Sequence, residues 1–229
     1  MALYVMGDLH LSFSSNKSME VFGDGWKNYV QRIEEGFSTL TEDDVTVLCG
    51  DLSWGMSLEE SLKDFQFIDA LPGKKYLMKG NHDYWWNTTA KMERFFAEHE
   101  LTTMEILHNN CKFYKDFALC GTRGWFYELD NQGTHNEKVL LREIGRLETS
   151  LKAGGDKEKI CFLHYPPIYQ GYQCPEILRL LREYQVKECY YGHLHGASHR
   201  RSIEGDYQGT RFSLVAGDYL GFVPKKICE

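Results

Sequence analysis

Five short motifs concentrate the residues able to do chemistry: Asp8-Leu9-His10, Gly50-Asp51, Gly80-Asn81-His82-Asp83, His164 and Gly192-His193-Leu194-His195. They supply carboxylates, an amide and imidazoles, the oxygen and nitrogen donors that hold hard or borderline divalent metals. The donors suffice for two adjacent ions. Manganese, iron, zinc or nickel suits such a mixed set better than calcium, and the motifs lack the thiolates of a structural zinc knot. Side chains two apart in an extended segment point to one side, so Asp8 with His10, and His193 with His195, are expected to project as pairs. Gly50, with no side chain, lets the backbone come close to the site beside Asp51.

The elements must deliver these groups to one place. Each motif follows an apolar run that reads as a strand, so all five can meet at one end of a sheet. Leu3-Tyr4-Val5-Met6 precedes Asp8, and the β-branched Val45-Thr46-Val47-Leu48-Cys49 precedes Asp51. Lys75-Tyr76-Leu77-Met78 leads to Asn81, residues 159–163 to His164, and residues 188–191 to His193. Spaced apolar positions predict helices over about 26–40, 88–99, 137–151 and 175–184. Ser57 with Glu60 reads as a capping box opening another helix, with Leu62, Phe65 and Ile68 on its inner face. Residues 104–107, 111–115 and 117–120 read as short strands in hairpins, and 211–215 as a further strand. No repeat, linker or low-complexity stretch divides residues 1–229, which read as one domain.

The 229 residues are 42% hydrophobic and 26% charged, values of an ordinary globular protein with a sizeable core. A net charge of −7 argues against a nucleic-acid-binding surface. No basic segment followed by an apolar stretch marks a signal peptide, and no apolar run nears the ~18 residues of a membrane span. The expected location is the cytoplasm. The seven cysteines form no Cys-x-x-Cys pair and read as reduced thiols packed in the core. His99, His108, His135 and His199 lie outside the motifs and read as core or surface residues.

In their order and with their neighbours, the five motifs resemble the calcineurin-like metallophosphoesterase superfamily, in its bacterial-type branch, over about residues 3–218. The resemblance implies an α/β fold, a four-layer α/β/β/α sandwich of two mixed sheets with flanking helices. It implies that Asp8, His10, Asp51 and His195 hold one divalent ion, and that Asp51, Asn81, His164 and His193 hold a second. Asp51 then bridges two ions ~3.5–4 Å apart. His82 is implied to protonate the leaving group instead of binding metal, a task suited to an unperturbed pKa near ~6.5. Asp83 either orients and charge-stabilises His82 or caps a helix. The implied reaction is in-line attack on phosphorus by a hydroxide activated between the metals, on a small phosphate ester or a nucleotide. Ser53 has no Gly-x-Ser-x-Gly context, which argues against a serine nucleophile.

The chain departs from part of this pattern. Protein-phosphatase relatives carry Gly-Asp-x-x-Asp-Arg at the second motif, whereas this chain reads Gly50-Asp51-Leu52-Ser53-Trp54-Gly55. Arg123, in Gly121-Thr122-Arg123-Gly124-Trp125, is either the replacement phosphate-binding cation or a surface arginine in a turn. Trp54, Trp85, Trp86, Trp125, Phe126 and Tyr127 are expected in loops near the motifs, either as core or as walls narrowing the approach. Residues 128–136 read as a lid. Two other readings share the motifs: a nuclease similar to the double-strand-break repair nucleases, and a non-catalytic interaction module on the same fold.

Overall fold

Short apolar and β-branched runs form the strands, and amphipathic stretches between them form the helices. In the computed structural model the described residues are 1–15, 17–125 and 134–229. The first half runs β1 (Leu3–Met6), α1 (Tyr29–Phe37), β2 (Val45–Leu48), α2 (Leu62–Ala70), β3 (Lys74–Leu77), α3 (Thr89–Glu98) and β4 (Met104–Ile106). There follow β5 (Cys111–Tyr114), β6 (Phe117–Thr122), α4 (Thr134–Ala153), β7 (Glu158–Leu163), β8 (Ile168–Tyr169), β9 (Tyr172–Gln173) and α5 (Pro175–Glu183). The chain closes with β10 (Glu188–Tyr191), β11 (Gly205–Tyr207), β12 (Thr210–Leu214) and β13 (Lys225–Cys228).

Two mixed sheets result. The first has the order β13-β1-β2-β3-β4, parallel except for β13. The second has the order β11-β12-β10-β7-β6-β5, parallel in its middle four strands with antiparallel edges. Parallel neighbours need long crossovers, and α1, α2 and α3 supply those of the first sheet.

Strand alternation distributes the core among three interfaces. Leu3, Val5 and Val47 of the first sheet meet Leu119, Ile160 and Phe162 of the second. Met6, Leu48 and Leu77 point the other way, onto Ile33, Phe37, Phe65, Ile68 and Met92 of α1–α3. Cys120, Cys161 and Cys189 of the second sheet pack on Leu147, Leu151, Ile177 and Leu180 of α4 and α5. The architecture is thus the expected α/β/β/α sandwich. Fully buried Phe37 and Phe162 each stabilise it by about 1.5–3 kcal/mol relative to exposure. All seven cysteines are free, five of them buried. No helix of the described residues is long and apolar enough to cross a membrane.

Some local expectations change. The Ser57 Oγ accepts from the Glu60 N–H at 3.2 Å and Glu60 Oε2 accepts from the Met56 N–H at 2.9 Å. These bonds close a turn ahead of α2, which begins only at Leu62. The strand expected at 211–215 forms as β12, whereas β8, β9, β11 and β13 are too short or too lysine-rich for period-two patterning to reveal. Of the expected lid, residues 128–133 lie outside the described residues, and 134–136 open α4.

Candidate metal centre

The parallel strands of both sheets end at a common edge, and the motif residues lie just past it. Asp8 follows β1, Asp51 follows β2, Asn81 follows β3, His164 follows β7 and His193 follows β10. Close packing of the intervening backbone depends on glycine. A Cβ on Gly50 would lie 2.5 Å from the Gly80 nitrogen, and one on Gly192 would lie 2.3 Å from Asp8 Oδ2.

The pairing expected from extended backbone is not what brings the ligand atoms together. Asp8, His10, Asp51 and His193 all have positive φ, between 45° and 72°. Non-glycine residues rarely adopt this left-handed region, and such strain gathers at functional sites. Main-chain bonds hold it: the Asp8 N–H donates to the Gly50 carbonyl at 2.8 Å and the His10 N–H to the Asp51 carbonyl at 2.9 Å. The backbone turns at His193, so His193 and His195 diverge into different groups instead of projecting as a pair.

Among the described residues there are three groups whose ligand atoms lie within 4.8 Å of one another. One of them, His195 with His199 and Asp218, shares His195 with a neighbour. Of the remaining two, the first unites Asp8, His10 and His195 and the second Asp51, His164 and His193. Asn81 joins the second, its Oδ1 2.6 Å from His164 Nε2 and 2.9 Å from His193 Nδ1. Asp51 stands between them. Its Oδ2 lies 3.7 Å from His10 Nε2 and 3.5 Å from His164 Nε2. Asp51 Oδ1 accepts from the His82 N–H at 2.7 Å.

Burial sets the protonation of these groups. It holds His10 well below its ordinary value, with the neighbouring histidines adding to the shift. Burial likewise brings His164 and His193 down to about 3. All three rings are therefore neutral, the form that ligates metals. The His164 Nδ1 lies 3.1 Å from the Cys49 carbonyl oxygen, so it carries the proton and leaves the Nε2 lone pair facing Asp51. Burial also pushes the Asp51 carboxyl well up, reinforced by the charges of Asp83 and Asp8. Crowded carboxylates and inward-facing neutral imidazoles repel one another unless a cation lies among them, so the donor set fits divalent metal ions.

Asp218 escaped the sequence reading. In the metal-free chain burial opposes the charged form of His195, but the ring's hydrogen bonds to Asp218 and Asp8 outweigh it and raise His195 to about 10. A cation held at Nε2 would displace that proton. The Asp218 Oδ1 lies 2.9 Å from His195 Nδ1, and its Oδ2 accepts from the Gly196 N–H at 3.1 Å. His199, read from sequence as a bystander, places its Nε2 3.2 Å from the same carboxylate. A signal existed: Gly217-Asp218 follows β12 as Gly7-Asp8 follows β1 and Gly50-Asp51 follows β2.

Asp83 does neither of the things expected of it. Its buried carboxylate accepts from the backbone N–H groups of Asp51, Leu52, Ser53 and Gly80 and from the Trp85 indole N–H. It caps no helix, and His82 Nδ1 has no hydrogen-bond partner. Asp83 instead ties the second motif to the third. Asp83→Ala strands five buried donors and should cost about 3–5 kcal/mol in urea unfolding. Unchanged stability with lost activity would restore the orienting role.

Arg123 also departs from expectation. Its Nη2 lies 3.4 Å from Oε1 of the fully buried Glu143, and the guanidinium stands 5.0 Å over the Trp125 ring. It does not line the cavity at the paired groups. Its main chain serves them instead: the Arg123 carbonyl accepts from the N–H groups of His164 and Tyr165 at 3.1 and 2.9 Å. Trp85 is core, packed edge-on to Phe65, and Trp86 packs partly buried against the same core. Phe126 and Tyr127 lie outside the described residues. Of the expected aromatic wall, Trp54 stays, joined by Trp26, Met19 and Phe22. These four and His82 line a cavity of about 440 Å³ over the two groups.

Solved structures share this architecture. A phosphopantetheinyl hydrolase from Mycobacterium tuberculosis aligns with a TM-score of 0.61 at 13% identity, over 99% of this chain and 95% of that one. A protein from Thermus thermophilus aligns at 0.54 and 12% identity, over 99% and 97%. A protein of unknown function from Aquifex aeolicus aligns at 0.52 and 12%, over 98% and 95%. At these identities the likeness establishes the fold alone. A model of the calcineurin-like phosphoesterases matches residues 1–197, and the chain belongs to that family. The comparison with curated proteins finds no match. At the coarse level, family membership supports a phosphoesterase.

Proposed function

We propose that this chain hydrolyses a small phosphate mono- or diester at a centre for two divalent metal ions. Asp8, His10, Asp51 and His195 would hold one ion, and Asp51, Asn81, His164 and His193 the other. Bound there, the ions supply a water of lowered pKa and offset charge on the phosphoryl oxygens. The observation that carries the reading is the place of Asp51, whose one oxygen faces a neutral ring from each group at 3.5 and 3.7 Å. Manganese, iron, zinc and nickel all suit these donors.

His82 is the proposed general acid. Its main-chain N–H is fixed to Asp51, and its ring packs at 4.5 Å on Trp54 in the cavity wall. There it can pass a proton to a departing alcohol. A cavity of about 440 Å³ suits a compact ester better than an extended polymer, which needs an open groove along its backbone.

The test is turnover of p-nitrophenyl phosphate and its bis ester with manganese present. Hydrolysis of either supports the proposal. Efficient digestion of single-stranded DNA with little action on small esters would favour the nuclease reading, and intact fold without metal uptake the non-catalytic one.

Asp218 is proposed to orient His195 by fixing its Nδ1 and directing Nε2 inward. Asp218→Asn should therefore weaken manganese binding roughly 10–100-fold, measured by equilibrium dialysis. Wild-type affinity in this variant would remove the orienting role.

A further inference from the structure

The cavity over the paired groups continues outward. It shares Met19, Phe22 and Trp54 with a second groove of about 320 Å³, completed by Lys17, Ser18 and Val21. Three of its lining residues belong to the 3₁₀ turn Met19–Phe22, whose start is fixed by the Ser18 Oγ accepting from the Glu20 N–H at 3.2 Å. That turn buries Met19 but leaves Val21 80% and Phe22 70% exposed. Large apolar side chains grouped at the mouth of a polar centre mark a surface that something apolar covers.

The chemistry of the groove narrows what covers it. The Trp54 ring is already engaged by the stacked His10 imidazole at 5.1 Å and by the Lys17 ammonium at 4.7 Å. A nucleobase therefore competes for an occupied ring, whereas the aliphatic Met19 and Val21 and the Phe22 edge suit a hydrocarbon chain. The groove begins where the proposed ligands end, so one molecule can span both.

We propose that the substrate is an amphiphilic phosphate ester, with its phosphoryl group at the paired donors and its hydrocarbon portion along Met19, Val21 and Phe22. This rests on the phosphoesterase reading for what occupies the inner end. Val21 and Phe22 are then specificity-determining residues.

The test uses n-alkylphosphonates from ethyl to octyl, which bind without being hydrolysed, titrated calorimetrically into manganese-loaded protein. Each added methylene should lower Kd roughly fourfold until the groove is full. Phe22→Ser and Val21→Ser, at exposed positions that leave folding intact, should flatten this dependence. A Kd independent of chain length overturns the proposal, as does adenosine monophosphate binding more tightly than octylphosphonate. Turnover of p-nitrophenyl phosphate, a monoester, or of ethyl p-nitrophenyl phosphate, a diester, separates the two claims. Turnover with flat phosphonate binding defeats the groove alone, and chain-length-dependent binding without turnover supports the groove and defeats the phosphoesterase reading.

Discussion

Asp51→Asn should reduce turnover by roughly 10³-fold or more, because it weakens both halves of the centre and with them the lowering of water's pKa from ~15.7 towards ~7. The fold should survive. An asparagine Oδ1 still accepts from the His82 N–H, and the substitution removes a buried charge from beside Asp8 and Asp83. Burial raises the Asp51 carboxyl in the folded chain, so without metal its ionised form costs stability at neutral pH. That cost fades as pH falls through the raised folded value towards the ordinary carboxylate pKa of ~3.9. The metal-free variant should therefore unfold at a higher temperature than the metal-free wild type near pH 7, with the difference shrinking on acidification. Added manganese should stabilise the wild type far more than the variant. A variant that keeps wild-type turnover and metal-induced stabilisation would show that Asp51 does not bridge.

His82→Asn should lower the rate on esters with poor leaving groups by roughly 10²–10⁴. Aryl phosphates, whose leaving groups need little protonation, should lose much less. The His82 ring is half-buried in the cavity wall, and burial lowers its pKa while the Asp8 charge opposes that shift. It lies outside all three clusters of ligand atoms, so its removal should leave metal content unchanged. Equal losses on alkyl and aryl esters, or a loss of bound metal, would place His82 among the ligands or the scaffold.

The sequence was most informative where local pattern and long-range structure agree. Leu3-Tyr4-Val5-Met6 alternates its side chains between two cores, and β1, β2, β3, β7 and β10 each lead into a motif. The helix expected from about residue 88 begins there: Thr88 Oγ1 accepts from the Lys91 N–H at 3.4 Å and caps α3. Backbone handedness was not legible. Period-two reasoning could not show that Asp8 and His10 are left-handed, because that conformation depends on bonds to Gly50 and Asp51, far away in sequence. The role of Asp83 was hidden for the same reason, since its partners come from two loops that only the fold brings together. Arg123 looked available because Glu143, its partner, lies on a helix 20 residues later. The exposed Val21 and Phe22 belong to a short turn with no periodicity to flag it.

Everything proposed for this centre depends on Asp51 lying between two cations. The most direct test of that placement is the metal content of wild-type protein, reconstituted with manganese, freed of excess ion and measured by mass spectrometry against protein concentration. Metal content should reach a plateau at about two equivalents per chain. A plateau at one equivalent or below would contradict that placement.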